Sequence, residues 1–350
     1  MTESKITATT TQLDTYQDKP IYEFTLTNQN NVSISAISLG ATFYKLLVPT
    51  KTQQRTNLIL NFFNSADYPK NGSFAGMAVG RTAGRIGDGQ IILDQQTYQL
   101  PQNEGTTTLH GGPNGFSSEV WNGSIVIKDG QPAILFHHLQ KSEDDGFPGD
   151  LDTTIMYQLT ENDEVKVTFT GRSTAKTVFN PTIHTYFNLG DTEDILEHQL
   201  LIRAAEHLEL DAKNVPTGQF LEVDETPFNF QNGQRLGTAI DAVKDTPHHG
   251  FDDIFKVTPN TKIAKLTDPA TQRSVTITSD RNALVIFTAN EFSEKEDMNF
   301  VRTNGVGKPY MGVAMEAQNL PDTTKHNNFG SDILPANETV QHHISYKVSY

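Results

Sequence analysis

Short strand-like runs, separated by Gly, Pro, Asn and Asp, recur along almost the whole chain and constrain its fold more than any other feature. The clearest of them cover residues 21–27, 32–40, 91–94, 97–100, 125–139, 153–159, 165–172, 275–279, 283–290 and 340–350. Runs of this length between turn-forming residues are typical of antiparallel sheets. The first two are joined across the turn formers Asn28–Asn31 and predict a hairpin.

Sustained helical periodicity is scarce, and the best short helix candidates are Ser65–Tyr68 and Asn71–Gly76. The pattern therefore predicts an all-β fold, a large antiparallel sandwich or barrel with few short helices, and argues against a parallel α/β sheet. The 350 residues show no composition break, proline-rich linker or fixed repeat. We expect one β domain over residues 1–350.

Composition excludes several classes of function. The absence of cysteine rules out a disulfide scaffold, a thiol nucleophile and a thiolate metal site. The net charge of −15, from 42 acidic against 27 basic residues, argues against nucleic acid or an anionic membrane as a partner. No apolar run approaches the roughly 20 residues of a membrane helix, and the start of the chain resembles no secretory signal. We therefore expect a cytoplasmic protein.

A histidine lies within an otherwise apolar strand-like stretch at residues 180–189, which reads NPTIHTYFNL. Alternation along a strand would place His184, Tyr186 and Asn188 on one face and apolar residues on the other. An imidazole can give and take protons near neutral pH, so His184 is a candidate acid or base. A structural histidine bonded to a neighbouring loop is the alternative.

A glutamate lies in a second such stretch at residues 310–320, which reads YMGVAMEAQNL. Alternation places Gly312, Ala314, Glu316 and Gln318 on one face, so that Glu316 is approached over two small residues, with space above the sheet for a ligand. A carboxylate inside a sheet is costly unless it is paired or functional. Glu316 is therefore a candidate partner for His184.

Three further segments carry polar groups suited to a site. The glycine-rich segment 80–89 does not fit a dinucleotide loop, but its Arg81 and Arg85 could donate to sugar hydroxyls or pair with surface carboxylates. His110 precedes two glycines that would let backbone and imidazole approach a ligand. Asp252 and Asp253 follow a turn, and only one of them can face a site.

No required metal is predicted. The adjacent pairs His137–His138, His248–His249 and His342–His343 point to opposite faces of a strand and cannot easily chelate one ion. The acidic segment 143–150, EDDGFPGD, lacks the spacing of a calcium loop and is interpreted as a loop near a pocket.

Six segments, GRTAGRI, TLHGGP, DDGFPGD, NPTIHTYFNL, HGFDDIF and AMEAQNLPD, follow the order of the motifs of the aldose 1-epimerases, or galactose mutarotases. The chain resembles that family over at least residues 80–322. The resemblance implies a large β-sandwich of the galactose mutarotase type, an open cleft on a concave sheet face and no cofactor. It also implies an isomerase that acts on a small sugar, and the protein is expected to be a monomer or a homodimer.

Carried over residue by residue, the resemblance assigns His184 as general acid and Glu316 as general base. Arg85, His110 and Asp252 resemble the groups that hold the sugar hydroxyls, and Asp252 is expected to favour the imidazolium form of His184. In two places the sequence departs from the family pattern. Gly84 replaces an asparagine, and Val285 occupies the place of a glutamine.

The implied reaction interconverts the α and β anomers of free galactose or glucose. Glu316 removes the proton of the C1 hydroxyl while His184 protonates the ring oxygen, and the same pair closes the other face after rotation. The two departures leave maltose or a hexose phosphate open as substrates, although the acidic charge disfavours the phosphate. A catalytically silent sugar-binding or sensing module is the alternative from another class.

Overall fold

The structure is a computed structural model and describes residues 5–70, 72–292, 298–303 and 305–350. Strands dominate it. In chain order they are β1 (Thr7–Tyr16), β2 (Lys19–Thr27), β3 (Ser33–Ile37), β4 (Thr42–Pro49), β5 (Arg55–Asn57), β6 (Ala78–Val79), β7 (Arg85–Ile86), β8 (Gln90–Leu93), β9 (Gln96–Gln99), β10 (Thr108–Leu109), β11 (Asn122–Lys128), β12 (Gln131–Gln140), β13 (Leu151–Leu159), β14 (Glu164–Ser173), β15 (Thr177–Val178), β16 (Thr182–Ile183), β17 (Tyr186–Phe187), β18 (Gln199–Ile202), β19 (Glu206–Leu210), β20 (Pro216–Glu222), β21 (Gln234–Arg235), β22 (Asp252–Lys256), β23 (Thr261–Thr267), β24 (Ser274–Ser279), β25 (Ala283–Phe287), β26 (Val313–Gln318), β27 (Ile333–Leu334) and β28 (Thr339–Ser349).

Helical structure is confined to short elements. The described residues contain α1 (Ser142–Asp145), α2 (Leu236–Val243) and the 3-10 turns Ser65–Asp67, Gly87–Gly89 and Phe116–Ser118. No helix in the described ranges is long and apolar enough to cross a membrane. The prediction of an all-β fold with few short helices is confirmed.

Two large antiparallel sheets form the sandwich. The nine-stranded sheet has the order β11-β12-β13-β14-β28-β24-β23-β18-β21, and the six-stranded sheet has the order β17-β26-β25-β22-β19-β20. Side chains of both sheets, among them Phe169 and Tyr346 of the first and Ile286 and Met315 of the second, share one hydrophobic cluster. The core therefore lies between the inner faces of the two sheets.

A third sheet of five strands, in the order β1-β2-β3-β4-β5, contains the predicted hairpin. Strands β2 and β3 pair with Glu23 opposite Ile37 and Thr27 opposite Ser33. The hydroxyls of Thr25 and Ser35 lie 2.8 Å apart across the pair. The hairpin prediction is confirmed.

The register of the six-stranded sheet aligns the residues of its outer face. Glu316 of β26 lies opposite Val285 of β25, which lies opposite Ile254 of β22. Directly opposed residues of antiparallel strands share a face, so these three form one row across the sheet. The next row is Tyr186, Ala314, Phe287 and Asp252. Two of the predicted site residues are thus fixed by strand pairing.

Some local predictions are wrong. Residues 180–189 do not form one strand, because β16 pairs with β6 while β17 pairs with β26, and His184 lies between them. The predicted helix at Asn71–Gly76 is absent over residues 72–76, where Gly72, Phe74 and Gly76 all have positive φ; Asn71 lies outside the described residues. The candidate at Ser65–Tyr68 is confirmed as a 3-10 turn.

The sequence interpretation also missed both α-helices. The acidic segment predicted as a loop near a pocket contains α1, and its Asp145 lies in the protein interior away from the cleft. Helix α2 buries Leu236, Ala239, Ile240 and Val243. Their spacing follows one face of a helix, so this signal was available in the sequence.

Candidate active site

A cleft of about 330 Å³ opens on the outer face of the six-stranded sheet. All five predicted site residues line it, namely His184, Glu316, Arg85, His110 and Asp252. They come from β26, β22, β7 and the turns after β10 and β16, so the fold gathers segments that are far apart in sequence. The burial of their side chains increases from Arg85 and Asp252 to the deeply buried His184 and Glu316.

His184 and Glu316 meet at the floor of this cleft. The Nε2 atom of His184 lies 3.3 Å from Oε1 of Glu316. The second carboxylate oxygen, Oε2, and the other ring nitrogen, Nδ1, have no hydrogen-bond partner within the described part of the chain. Both atoms are buried, so the contact between Nε2 and Oε1 is the part of the pair that a bound molecule can approach.

Burial sets the protonation of this pair. It lowers the pKa of His184 to about 3. Burial and, secondarily, the charge of Asp252 raise the pKa of Glu316 to about 8, and Arg85 opposes that rise. The expectation that Asp252 favours an imidazolium is wrong for this structure, because burial outweighs nearby charges and favours the neutral ring.

Two aromatic rings hold the imidazole of His184. Tyr186 stacks on it with ring centroids 5.0 Å apart, and Phe74 stacks at 6.0 Å. The hydroxyl of Tyr186 donates to the carbonyl of Ser73 at 2.9 Å, which ties the two aromatic segments together. Sequence reasoning placed Tyr186 on the face of His184 but missed Phe74. It also placed Asn188 there, whereas Asn188 is buried and donates to carbonyls, including that of Met311 at 2.9 Å.

Gly312, which precedes β26, and Ala314 within it do not leave the open space for a ligand that the sequence predicted. A side chain at Gly312 would collide with Leu60 and approach Tyr186. Ala314 packs in an apolar cluster with Tyr186 and Met311. The small residues therefore admit protein side chains, and the open space lies over the row of Glu316, Val285 and Ile254.

His110 is fixed as a hydrogen-bond donor. Its Nδ1 accepts the backbone N–H of Gly84 at 3.2 Å, so in the neutral ring Nε2 carries the proton. Burial and, to a lesser degree, His184 and Arg85 lower the pKa of His110 well below its usual value. The ring therefore stays neutral and can donate to a hydroxyl from Nε2.

The sequence predicted that the glycines after His110 allow a ligand to approach. In the structure Gly111 instead allows two backbone segments to approach each other. Gly111 has φ +88°, and a Cβ there would lie 1.8 Å from the carbonyl oxygen of Gly80. Only glycine permits this close passage of two backbone segments. The contact fixes the turn that carries His110 against the segment that leads to Arg85.

The two arginines of the glycine-rich segment have different environments. Arg85 lines the cleft and pairs with Glu104 and Asp252. Arg81 is fully buried, and its Nε donates to Asp145 at 2.6 Å. The prediction that both could serve a sugar, or pair on the surface, is therefore wrong for Arg81.

Asp253 faces away from the cleft, so the prediction that only one of the two aspartates, Asp252 and Asp253, reaches the site is confirmed.

One group of metal-ligating residues exists in the described part of the chain. Donor atoms of His110, His184 and Glu316 all lie within 4.8 Å of one another, close enough to hold an ion. For His110 the Gly84 N–H occupies Nδ1 and leaves the proton on Nε2, which suits a donor better than a ligand. The prediction that no metal is required stays a prediction.

The two departures from the family pattern have different settings. Gly84 has φ +75°, and a Cβ there would approach Pro321 to 2.9 Å, so an asparagine side chain does not fit without movement. Val285 lies beside Glu316 and forms an apolar wall with Ile254 and the partly buried Leu210.

Comparisons with known proteins agree with this architecture. A sequence model of the family described as Aldose 1-epimerase matches residues 22–347. The aldose 1-epimerase of Streptococcus thermophilus is 38% identical, with 93% of this chain and 94% of that protein covered. The maltose epimerase of Levilactobacillus brevis is 36% identical, with 95% and 96% covered. A crystal structure of galactose 1-epimerase from Lactobacillus acidophilus has a TM-score of 0.85 at 27% identity, with 98% and 99% covered.

The fold and these relatives define an isomerase built on an antiparallel β-sandwich of the galactose mutarotase type. The chain belongs to the aldose 1-epimerase family.

Proposed function

We propose that the protein interconverts the α and β anomers of free hexoses, galactose and glucose, by acid–base opening and closure of the ring. The observation that carries the proposal is the contact of 3.3 Å between His184 Nε2 and Glu316 Oε1 at the floor of the cleft. A sugar whose C1 hydroxyl and ring oxygen reach this floor meets a carboxylate and an imidazole together.

The reaction moves two protons and breaks one C–O bond. Glu316 takes the proton of the C1 hydroxyl, His184 gives a proton to the ring oxygen, and the bond between C1 and that oxygen breaks to leave an aldehyde. Rotation about the C1–C2 bond exposes the other face of the aldehyde, and the reverse transfers close the ring as the other anomer. Each positioned proton transfer contributes about 10² to 10⁴-fold to the rate.

The resting protonation of the pair differs from the form that reacts. The pKa of about 8 leaves the proton on Glu316 near neutral pH, and the pKa of about 3 leaves His184 neutral. The reactive form, a carboxylate base beside an imidazolium acid, requires transfer of this proton from Glu316 to His184, against the order of the two pKa values and therefore at a cost in free energy. Arg85 lowers the pKa of both groups, so it makes the carboxylate easier to form and the imidazolium harder to form.

The three remaining groups would hold the sugar. His110 offers a donor at Nε2, Arg85 offers guanidinium N–H groups, and Asp252 offers an acceptor. These match the alternating donors and acceptors of neighbouring sugar hydroxyls. Their place above the acid–base pair fits a pyranose that enters with its anomeric carbon first.

Maltose is a second candidate substrate, and the entry direction favours it. In a pyranose the edge with C1 and the ring oxygen lies opposite the edge with C3 and C4. If the first edge is at the buried floor, a substituent at C4 points to the open mouth. The maltose epimerase relative from Levilactobacillus brevis agrees with this possibility. The wall that Val285 and Ile254 form is apolar and offers no side-chain hydrogen bond to the sugar.

Charge disfavours a hexose phosphate. The charged side chains that line the described cleft, apart from histidines, are Arg85, Glu104, Asp252, Glu291 and Glu316. One cation among four carboxyl groups is a poor site for a dianion. A silent sugar-binding module is disfavoured because binding alone requires no buried acid–base pair.

Polarimetry on freshly dissolved sugars tests the proposal. We expect the protein to accelerate the rotation change of α-galactose and α-glucose, and of maltose if the second candidate holds, with xylose as a further comparison. The same rates after treatment with EDTA are expected, since no step uses a metal. Thermal stabilisation by a sugar without any acceleration would identify a silent binder and contradict the proposal.

Location and assembly belong to the proposal as well. A cytoplasmic location is proposed because the absence of cysteine suits a reducing compartment, and the net charge of −15 disfavours binding to nucleic acid or an anionic membrane. Monomer and homodimer are distinguished by the mass measured in solution by light scattering.

A further inference from the structure

The guanidinium of Arg85 is held by two carboxylates, and only one of them was identified from the sequence. We propose that Glu104 is a positioning residue for sugar recognition, which fixes Arg85 so that Arg85 and Asp252 can contact the sugar at the same time. The inference rests on the proposed function of the cleft, because Arg85 and Asp252 are assigned there as sugar-binding groups.

The geometry between Glu104 and Arg85 is bidentate. Arg85 Nε donates to Oε2 of Glu104 at 2.7 Å, and Nη2 donates to Oε1 at 2.9 Å. The contact to Asp252 is a single longer one, from Nη1 to Oδ2 at 3.3 Å. Bidentate pairs of this type fix the plane of the guanidinium. Glu104 therefore sets the orientation of Arg85 more strongly than Asp252 does.

Glu104 is itself held by its own loop. Thr107 donates its hydroxyl to Glu104 Oε2 at 3.0 Å and its backbone N–H to the Glu104 carbonyl at 2.9 Å. The chain then enters β10, where Leu109 pairs with Arg85 of β7. The backbone pairing of β10 with β7 and the bidentate ion pair between Glu104 and Arg85, called the arginine fork below, thus connect the same two segments. The carboxylate of Glu104 is therefore in place before a ligand arrives.

The arrangement leaves donors free for a ligand. A guanidinium has five N–H groups, and Glu104 and Asp252 accept from three of them. Without the Glu104 carboxylate, the nearest remaining carboxylate for Arg85 is Asp252. A bidentate pair between Arg85 and Asp252 would consume the donor and the acceptor that the sugar needs.

Charge gives a second consequence. Burial disfavours the charge of Arg85, but the bonds to Glu104 and the charges of Asp252 and Glu104 raise its pKa above the ordinary value. Burial likewise opposes the charge of Glu104, and the bonds to Arg85 lower its pKa below the ordinary value. The two therefore form an ion pair. Loss of the Glu104 charge would leave the cation of Arg85 less compensated and would lower the pKa of Glu316.

The chain offers a matched control for the substitution Glu104→Gln. Glu197 also makes a bidentate pair with an arginine, Arg235, through Nε at 2.9 Å and through Nη2. That pair lies on the surface, outside the cleft. Glu197→Gln therefore reports the effect of losing an arginine fork that has no part in sugar recognition.

The experiment compares wild type, Glu104→Gln, Arg85→Lys, the double variant and Glu197→Gln. Polarimetric initial rates give KM and kcat, and calorimetry with galactose, glucose and maltose gives the dissociation constant independently of turnover. We expect Glu104→Gln to raise KM and the dissociation constant about tenfold, in line with the loss of one charge-assisted hydrogen bond. We expect kcat to change less than about threefold.

Two further readouts separate positioning from a structural role. If Glu104 acts through Arg85, the double variant binds sugar no more weakly than Arg85→Lys alone, because lysine cannot form the fork. The upper limb of the pH–rate profile, where the pair loses the proton held by Glu316, should also shift to lower pH in Glu104→Gln, and Glu104→Asp should restore that limb while KM stays raised. Circular dichroism spectra of the variants establish that each one is folded.

An affinity of Glu104→Gln within twofold of Glu197→Gln would overturn the inference, and so would additive losses in the double variant. Failure of the proposed function is distinguishable, because it shows as absent acceleration in the wild type. Calorimetry then still tests Glu104 in a silent binder, and a wild type that binds none of the three sugars overturns both proposals.

Discussion

At the scale of residues, burial decides how His184 and Glu316 can act. Both side chains are nearly inaccessible to solvent, and each favours its uncharged form as a result. The neutral carboxyl lies 3.3 Å from the imidazole, and only proton transfer between the two creates the carboxylate and the imidazolium that the reaction uses. The acid–base capacity is therefore a property of the pair.

The same burial predicts a pH-dependent cost in stability. Burial raises the pKa of Glu316 from its ordinary value of 4.5 to about 8 in the folded protein. The folded state thus holds this proton more tightly than the unfolded chain, so the stability it contributes is fully present below pH 4.5 and is lost as the pH rises to about 8. Glu316→Gln does not titrate and avoids this loss.

We therefore expect the free energy of unfolding of Glu316→Gln to rise relative to wild type between pH 4.5 and 8. The gain should reach a few kcal/mol, with about 5 kcal/mol as the upper bound set by the size of the pKa shift. Urea unfolding at a series of pH values measures it. A difference that is constant with pH, as expected for Glu197→Gln, would contradict the assigned burial effect.

At the scale of elements, single stretches of sequence indicated the faces of residues but not the strand boundaries. The alternation in residues 310–320 correctly placed Glu316 and Gln318 on the cleft face and Met315 in the core. In residues 180–189 the turn at His184 interrupts the strand, because its two halves pair with β6 and β26. Pairing partners distant in the chain set that break, and they leave no local pattern.

The sequence did not identify Glu104 or Phe74 as site residues, again because contacts between distant segments leave no local pattern. Both lie in irregular segments with no periodicity, and their importance comes from partners elsewhere in the chain, Arg85 and His184. The motif resemblance identified the five residues that match the family pattern, and all five line the cleft. Residues outside those motifs required the structure.

Helix α1 contributes a buried ion pair that supports the segment before Arg85. Asp145 accepts from Nε of Arg81, and both side chains are fully buried. Removing one partner leaves an uncompensated buried charge, which typically costs about 3 to 5 kcal/mol. We expect Asp145→Asn to lower the free energy of unfolding by about that amount at pH 7.

Urea unfolding of Asp145→Asn measures this loss, with Asp94→Asn as the control. Asp94 pairs with Lys176 on the surface, where solvent screens the charges, so a far smaller change is expected. Equal losses of unfolding free energy in the two variants would contradict the larger cost that is assigned to breaking the buried pair. The carbonyls of Pro148 and Gly149 also accept from Arg81, which favours the lower end of the range.

At the scale of the whole molecule, the sandwich supplies a rigid base for a cleft assembled from distant segments. Strands β17 and β26, which bring Tyr186 beside Ala314, are separated by more than a third of the chain. The strand pattern predicted the fold class from local evidence, whereas sheet order depends on such long-range pairing. One domain over residues 1–350 stays a prediction.

We propose that His184 and Glu316, which this fold brings together, are the acid and base of anomer interconversion. Polarimetry of freshly dissolved α-galactose and α-glucose with wild type, Glu316→Gln and His184→Asn tests it most directly. We expect each substitution to lower kcat by about 10² to 10⁴-fold, with folding and sugar binding retained. Acceleration equal to that of the wild type in either folded variant would contradict the account.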